Sequence, residues 1–85
     1  MDDQYMVSIK IEVLLEVYAD LLSRMVHLLE LKNISPTDHS NYWARMYQEL
    51  CRENDKILSI RSFEDAGKCE GIYLLAKALI EGEEQ

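Results

Sequence analysis

The sequence predicts an all-α fold, a small three-helix bundle built from an antiparallel helical hairpin and a third helix, and three observations carry that prediction. Apolar residues recur at helical spacing along most of the chain, two cap-like sequences divide it into three stretches, and only one short N-terminal segment alternates in the manner of a strand. At 85 residues the chain makes one domain, residues 1–85, because two cores of half that length would bury too little surface to offset chain entropy.

The first helix is expected from about Val7 to Leu31. Its polar positions Glu12, Glu16, Asp20, Ser23, Arg24, His27 and Glu30 recur every three or four residues, as on a solvated helix face. The apolar remainder, from Ile11 through Leu14, Leu15, Tyr18, Leu21, Leu22, Met25, Leu28 and Leu29, is wider than one seam needs. Such a helix touches two neighbours or a second subunit, and its length of roughly 35 to 40 Å exceeds what a compact monomer requires. Val7, Ile9, Ile11 and Val13 alternate with Ser8, Lys10 and Glu12, which is also a half-buried strand pattern. A lone strand would find a pairing edge only on a second copy, so helix is the reading adopted.

The segment Asn33-Ile34-Ser35-Pro36-Thr37-Asp38 ends the first helix and is expected to start the second, with Ser35 as cap, Pro36 at the first helical position and Asp38 completing a capping box. The second helix then sets Trp43, Met46, Tyr47, Leu50, Cys51, Ile57 and Leu58 on one face, opposite Arg45, Glu49, Arg52, Glu53 and Lys56. Asn54 interrupts the stripe, as a register-setting residue or at the helix edge. Ser62 with Asp65 repeats the cap logic, predicting a third helix from Phe63 to Glu81 that ends at Gly82. Between Gly71 and Ile80 its only charged residue is Lys77, so it is expected to be central or to lie in a subunit interface.

Sixteen Asp and Glu against nine Lys and Arg give a net charge of −7, which repels nucleic acid and anionic membranes and disfavours direct binding to either. No apolar run reaches the ~20 residues of a membrane span, and the acidic start lacks the basic region of a signal peptide, so the chain is expected in the cytoplasm. Cys51 and Cys69 lack metal or redox spacing and read as reduced, buried side chains. His27 falls on the polar face and His39 in the first turn of the second helix; neither follows a Glu at the spacing of a bundle metal site, and no Ser or Cys has a nucleophile motif. No cofactor, metal or enzymatic activity is expected.

What remains is interaction. Glu12, Glu16 and Asp20 stand one turn apart and line an acidic strip that suits a basic protein surface, with Arg45 as a further solvent-facing contact. Gly67 and Gly71 each cost about 1 kcal/mol relative to alanine inside a helix. The expected compensation is close approach of another backbone, or a ligand held near Gly67, Gly71, Tyr73 and Trp43. Trp43, Met46 and Tyr47 otherwise read as core. The sequence therefore suggests a homo-oligomeric, non-enzymatic regulator or inhibitor of another macromolecule, in one form a competitor for a basic nucleic-acid-binding site as phage counter-defence proteins are. The alternative is a helical oligomer that sequesters a small molecule.

Overall fold

The computed structural model describes residues 3–84; Met1 and Asp2 of the acidic start and the terminal Gln85 lie outside them. Three helices follow in order, α1 (Asp3–Lys32), α2 (Tyr42–Lys56) and α3 (Phe63–Glu84), with a single 3-10 turn at Ile57–Ser59 after α2. The described residues contain no strand, so the fold is the all-α bundle that the hydrophobic spacing predicts.

The strand-like alternation at 7–13 is helical. Its odd-numbered residues do not share a face: Val7 is buried, whereas Ile9 and Val13 are 39% and 44% exposed. A 3.6-residue period sends alternate residues to different sides, and α1 carries apolar groups on both. On the inner side Val7, Leu14, Tyr18, Leu21, Met25 and Leu28 are buried, with half-buried Ile11 completing a spacing of alternating fours and threes. That is the spacing of a packed helical seam. Each large apolar side chain fully buried there contributes about 1.5–3 kcal/mol.

α1 ends where the sequence says it should. Asn33 adopts a left-handed conformation (φ 57°), its N–H donates to Glu30 O, and the Ile34 N–H donates to Leu29 O at 2.9 Å. These paired bonds satisfy the last carbonyls of the helix, and Ile34 packs back against the core beside Leu29.

The start of α2 corrects the sequence reading. Ser35, Pro36 and Asp38 do not open the helix; Asn41 does, its Oδ1 accepting from Trp43 N at 2.9 Å and Ala44 N at 3.3 Å. The earlier candidates are engaged in local turns. Asp38 N donates to Ser35 O, the Ser35 hydroxyl meets that of Thr37, and the Asp38 carboxylate accepts from Ser40 Oγ and Ser40 N. Those bonds from Ser40 hold the Asp38 carboxyl below the usual range. His39 accordingly sits in the connection, its Nδ1 3.3 Å from Gln48 Oε1, and not in the first turn of a helix.

Two further expectations for α2 fail. Leu58, placed on the core face, lies in the 3-10 turn and is 69% exposed, while Glu53, placed on the solvent face, is 7% exposed. The tightening at Ile57 rotates Leu58 outwards, and α3 closes over Glu53. Trp43, Met46 and Tyr47 do pack against the core, and Lys32 Nζ lies 5.6 Å over the Trp43 ring.

Ser62 caps α3 as its sequence predicts, its Oγ accepting from Asp65 N at 3.2 Å. Gly82 does not end the helix, which continues to Glu84 with no glycine at positive φ. Nor is α3 central. Only Ala66, Cys69, Ala76 and Ile80 are buried, and α1 is the spine against which both α2 and α3 pack, the two touching each other less. α1 and α3 run in the same direction, as the pairs Lys10–Glu70 and Arg24–Glu84 show.

Candidate protein-interaction faces

Burial of the seam decides what α1 presents outwards. At 100° per residue, the positions opposite Leu14, Tyr18 and Met25 are Tyr5, Ile9, Glu12, Val13, Glu16 and Asp20. Tyr5 is 63% exposed, and Glu12, Glu16 and Asp20 are all exposed. The three carboxylates therefore lie together on one solvated strip as their spacing predicts. They continue a row of apolar side chains, Tyr5, Ile9 and Val13, each a turn apart. Sequence reasoning missed that row because it read Ile9 and Val13 as part of a strand-like alternation and began the helix at Val7, after Tyr5. The available signal was the surplus itself, since a helix cannot bury apolar residues on both sides against neighbours that cover only one.

Asp20 has Arg24 4.0 Å away on the next turn. Arg24 is drawn more strongly to Glu84, 2.5 Å away, which raises its pKa. Among the described residues, Glu12 and Glu16 make no ion pair and no hydrogen bond to another side chain. Three neighbouring carboxylates with so little local neutralisation repel one another and attract an external cation.

Arg45 does not join this strip. It is exposed on α2 and lines a shallow hollow with His39, Tyr42, Met46, Leu75 and Leu79, between α2 and α3. A second hollow continues along the same groove past Glu53, Lys56, Lys68 and Gly71, and no α1 residue lines either one.

The glycine expectation is not met inside the chain. A Cβ built on Gly67, Gly71 or Gly82 meets nothing within 4 Å, so no backbone approaches them there. Nor do the four residues proposed to share a ligand converge. Gly67 and Gly71 border the groove, Tyr73 packs on the opposite seam with its ring 6.0 Å from that of Tyr18, and Trp43 stands by the α1–α2 turn, stacked edge-on with Tyr42.

A polar cluster lies in the interior, also unseen in the sequence. The Tyr18 hydroxyl donates to Cys69 O at 2.7 Å, Cys69 Sγ lies 3.7 Å from Glu53 Oε2, and Lys56 Nζ is 3.2 Å from Glu53 Oε1. Burial, and then the Glu53 charge, push the Cys69 thiol up. The Tyr18 phenol is raised as well, by burial first and then by the charges of Cys69 and Glu53. The cluster ties α1, α2 and α3 together. No group of three His, Cys, Asp or Glu among the described residues is placed to hold a metal ion, and no helix is long and apolar enough to cross a membrane.

The architecture is thus a helical spine with a charged, partly apolar outer face. No curated protein and no solved structure matches the chain. The model of one family does, over residues 3–82, nearly the whole length. The chain belongs to the bacterial epsilon antitoxin family, small proteins that restrain another protein, a toxin.

Proposed function

We propose that this antitoxin restrains its toxin through the outward face of α1, with Tyr5, Ile9 and Val13 as apolar anchors and Glu12, Glu16 and Asp20 meeting a basic surface of the toxin. The observation that carries the reading is the placement of both rows on one solvated strip of the longest helix. Helix-in-groove recognition uses anchors at this spacing. The carboxylates add steering and register, since charge complementarity raises the association rate and penalises wrong alignments. A non-enzymatic mode of action follows, because occupying a surface is sufficient to inhibit.

The narrower form, in which the covered surface is a basic nucleic-acid-binding site, draws its support from the charge of the strip, and competition between nucleic acid and the antitoxin for the toxin is its test. The general reading is tested by titration calorimetry of the purified toxin with the Glu12→Lys, Glu16→Lys, Asp20→Lys variant. Affinity should fall on the order of 100-fold at low salt, with a smaller loss at high salt. Unchanged affinity in a variant that keeps its helicity would place the toxin elsewhere.

A further inference from the structure

The charges of α1 are divided between two sides of the helix, and α3 sets the division. α1 has three Lys and Arg residues, Lys10, Arg24 and Lys32, and each is held by a carboxylate of α3, Glu70, Glu84 and Glu83 in turn. Lys10 and Lys32 have no α1 carboxylate three or four residues away, so α3 is their natural partner. Arg24 is different. Asp20 stands four residues before it, and an acid placed N-terminal to a base at that spacing is the favourable orientation on a helix. In an α1 helix standing alone the two would pair, and one carboxylate of the acidic strip would be neutralised.

In the folded chain Glu84 competes successfully for Arg24. Its Oε1 accepts from Arg24 Nη2 at 2.5 Å, whereas Arg24 Nη1 lies 4.0 Å from Asp20 Oδ2, beyond hydrogen-bond reach. The last turn of α3 is anchored so as to present that carboxylate. Lys32 holds Glu83 while its ammonium also lies over the Trp43 ring, and Lys77 stands 3.6 Å from Glu81. Gly82 lies between these anchors, and a Cβ built on it would meet nothing within 4 Å. Without the anchors this turn would be the first part of α3 to fray, because a glycine there adds backbone freedom and no packing.

The consequence for the strip follows from charge. The Arg24–Glu84 pair is neutral as a unit, so Glu12, Glu16 and Asp20 all face solvent uncompensated. With Arg24 seated on Asp20, only Glu12 and Glu16 would.

We infer that Glu84 is a positioning residue for the toxin-docking strip: by holding Arg24 it keeps Asp20 open to a cation of the toxin. The inference rests on the docking reading of α1 and adds that the end of α3, outside the strip, sets the charge that the toxin meets. Stopped-flow association with purified toxin at low salt separates this seating from net charge alone. Glu84→Gln should slow association about threefold while helicity stays that of the parent. The same change made in an Arg24→Gln background should slow it far less, since no guanidinium is left to move. Equal slowing in the two backgrounds would reduce Glu84 to one more negative charge and overturn the inference. The free chain gives a second readout that needs no toxin. NMR cross-peaks between Arg24 Hδ and Asp20 Hβ should strengthen in Glu84→Gln, and unchanged cross-peaks would overturn the inference as well. Failure of the docking reading looks different: the Glu12→Lys, Glu16→Lys, Asp20→Lys variant would bind toxin as the parent does, while the cross-peaks still respond to Glu84.

Discussion

The outward faces of α1 and α3 are built from the same chain and both carry exposed apolar side chains, yet they differ in how charge is distributed along them. On α1 the apolar row Tyr5, Ile9 and Val13 gives way to Glu12, Glu16 and Asp20 within the same strip. On α3 no charge interrupts the strip between Gly71 and Ala76, and small residues replace long ones. A mixed strip suits a partner that arrives from solution, because its charges stay solvated until they are matched and they steer the encounter. An unbroken apolar strip suits a contact formed once and kept, since contiguous exposed apolar surface is a liability on a monomer.

The sharpest way to break this contrast is to damage one face and read both partners. Ile9→Asp with Val13→Asp removes two anchors and adds two like charges beside Glu12 and Glu16. Toxin affinity should fall 100-fold or more, about 3 kcal/mol, as when central hot-spot side chains are lost. Solution mass and helicity should stay as they are, since both positions are exposed. If the same variant also changes the mass of the free antitoxin, the two faces are not independent and the division of labour fails.

A smaller effect tests whether one core supports both faces. The Tyr18 hydroxyl links α1 to the α3 backbone at Cys69, so Tyr18→Phe should cost about 1 kcal/mol and lower Tm by roughly 4–8 °C. Toxin binding and self-association should be unaffected at a temperature where both variants are folded. The alkaline limb of stability follows from the same group. The folded state holds the Tyr18 phenol and the Cys69 thiol protonated above their ordinary values. Once the pH passes the unfolded values, near 8.5 for Cys and 10 for Tyr, the unfolded chain has lost protons that the folded one keeps, and stability falls with rising pH. Below those values the stabilisation is fully present. Denaturation of the parent chain from pH 8 to 11 should show the decline, and Tyr18→Phe should flatten its upper part.

How far these features were readable beforehand follows from the range of the forces that set them. Local chemistry was legible: the Ser62 cap, the break at Asn33, the apolar face of α2 and the acidic row on α1 depend on neighbours in sequence. The start of α2 was misread because Ser35, Asp38 and Asn41 are all competent caps. The choice among them rests on which side chain is left free once Asp38 has bound Ser40. Glu53 was misplaced because its burial depends on α3, and Leu58 because a 3-10 turn shifts the helical phase by a fraction of a turn. The apolar surplus of α1 and α3 was visible as composition. Which residues it leaves in water depends on α2 being only half the length of α1, a tertiary fact.

The smallest effect separates the cost of the acidic strip from its use. Glu16 has Glu12 one turn before it and Asp20 one turn after, and like charges at that spacing destabilise an isolated helix by about 0.2–0.5 kcal/mol per pair. Glu16→Gln removes both repulsions without changing shape, so the free antitoxin should gain a few tenths of a kcal/mol to just under 1 kcal/mol, visible as a Tm higher by a few degrees at low ionic strength. Salt should erase the gain, because the exposed carboxylates are screened over about 10 Å at 0.1 M. Toxin affinity should move the other way, with a slower association rate at low salt. Opposite signs in the two measurements would mean that the strip is retained at the expense of stability because a partner uses it. A variant that is more stable and binds toxin as fast as the parent would reduce the carboxylates to an ordinary solvated face, leaving Tyr5, Ile9 and Val13 to carry recognition alone.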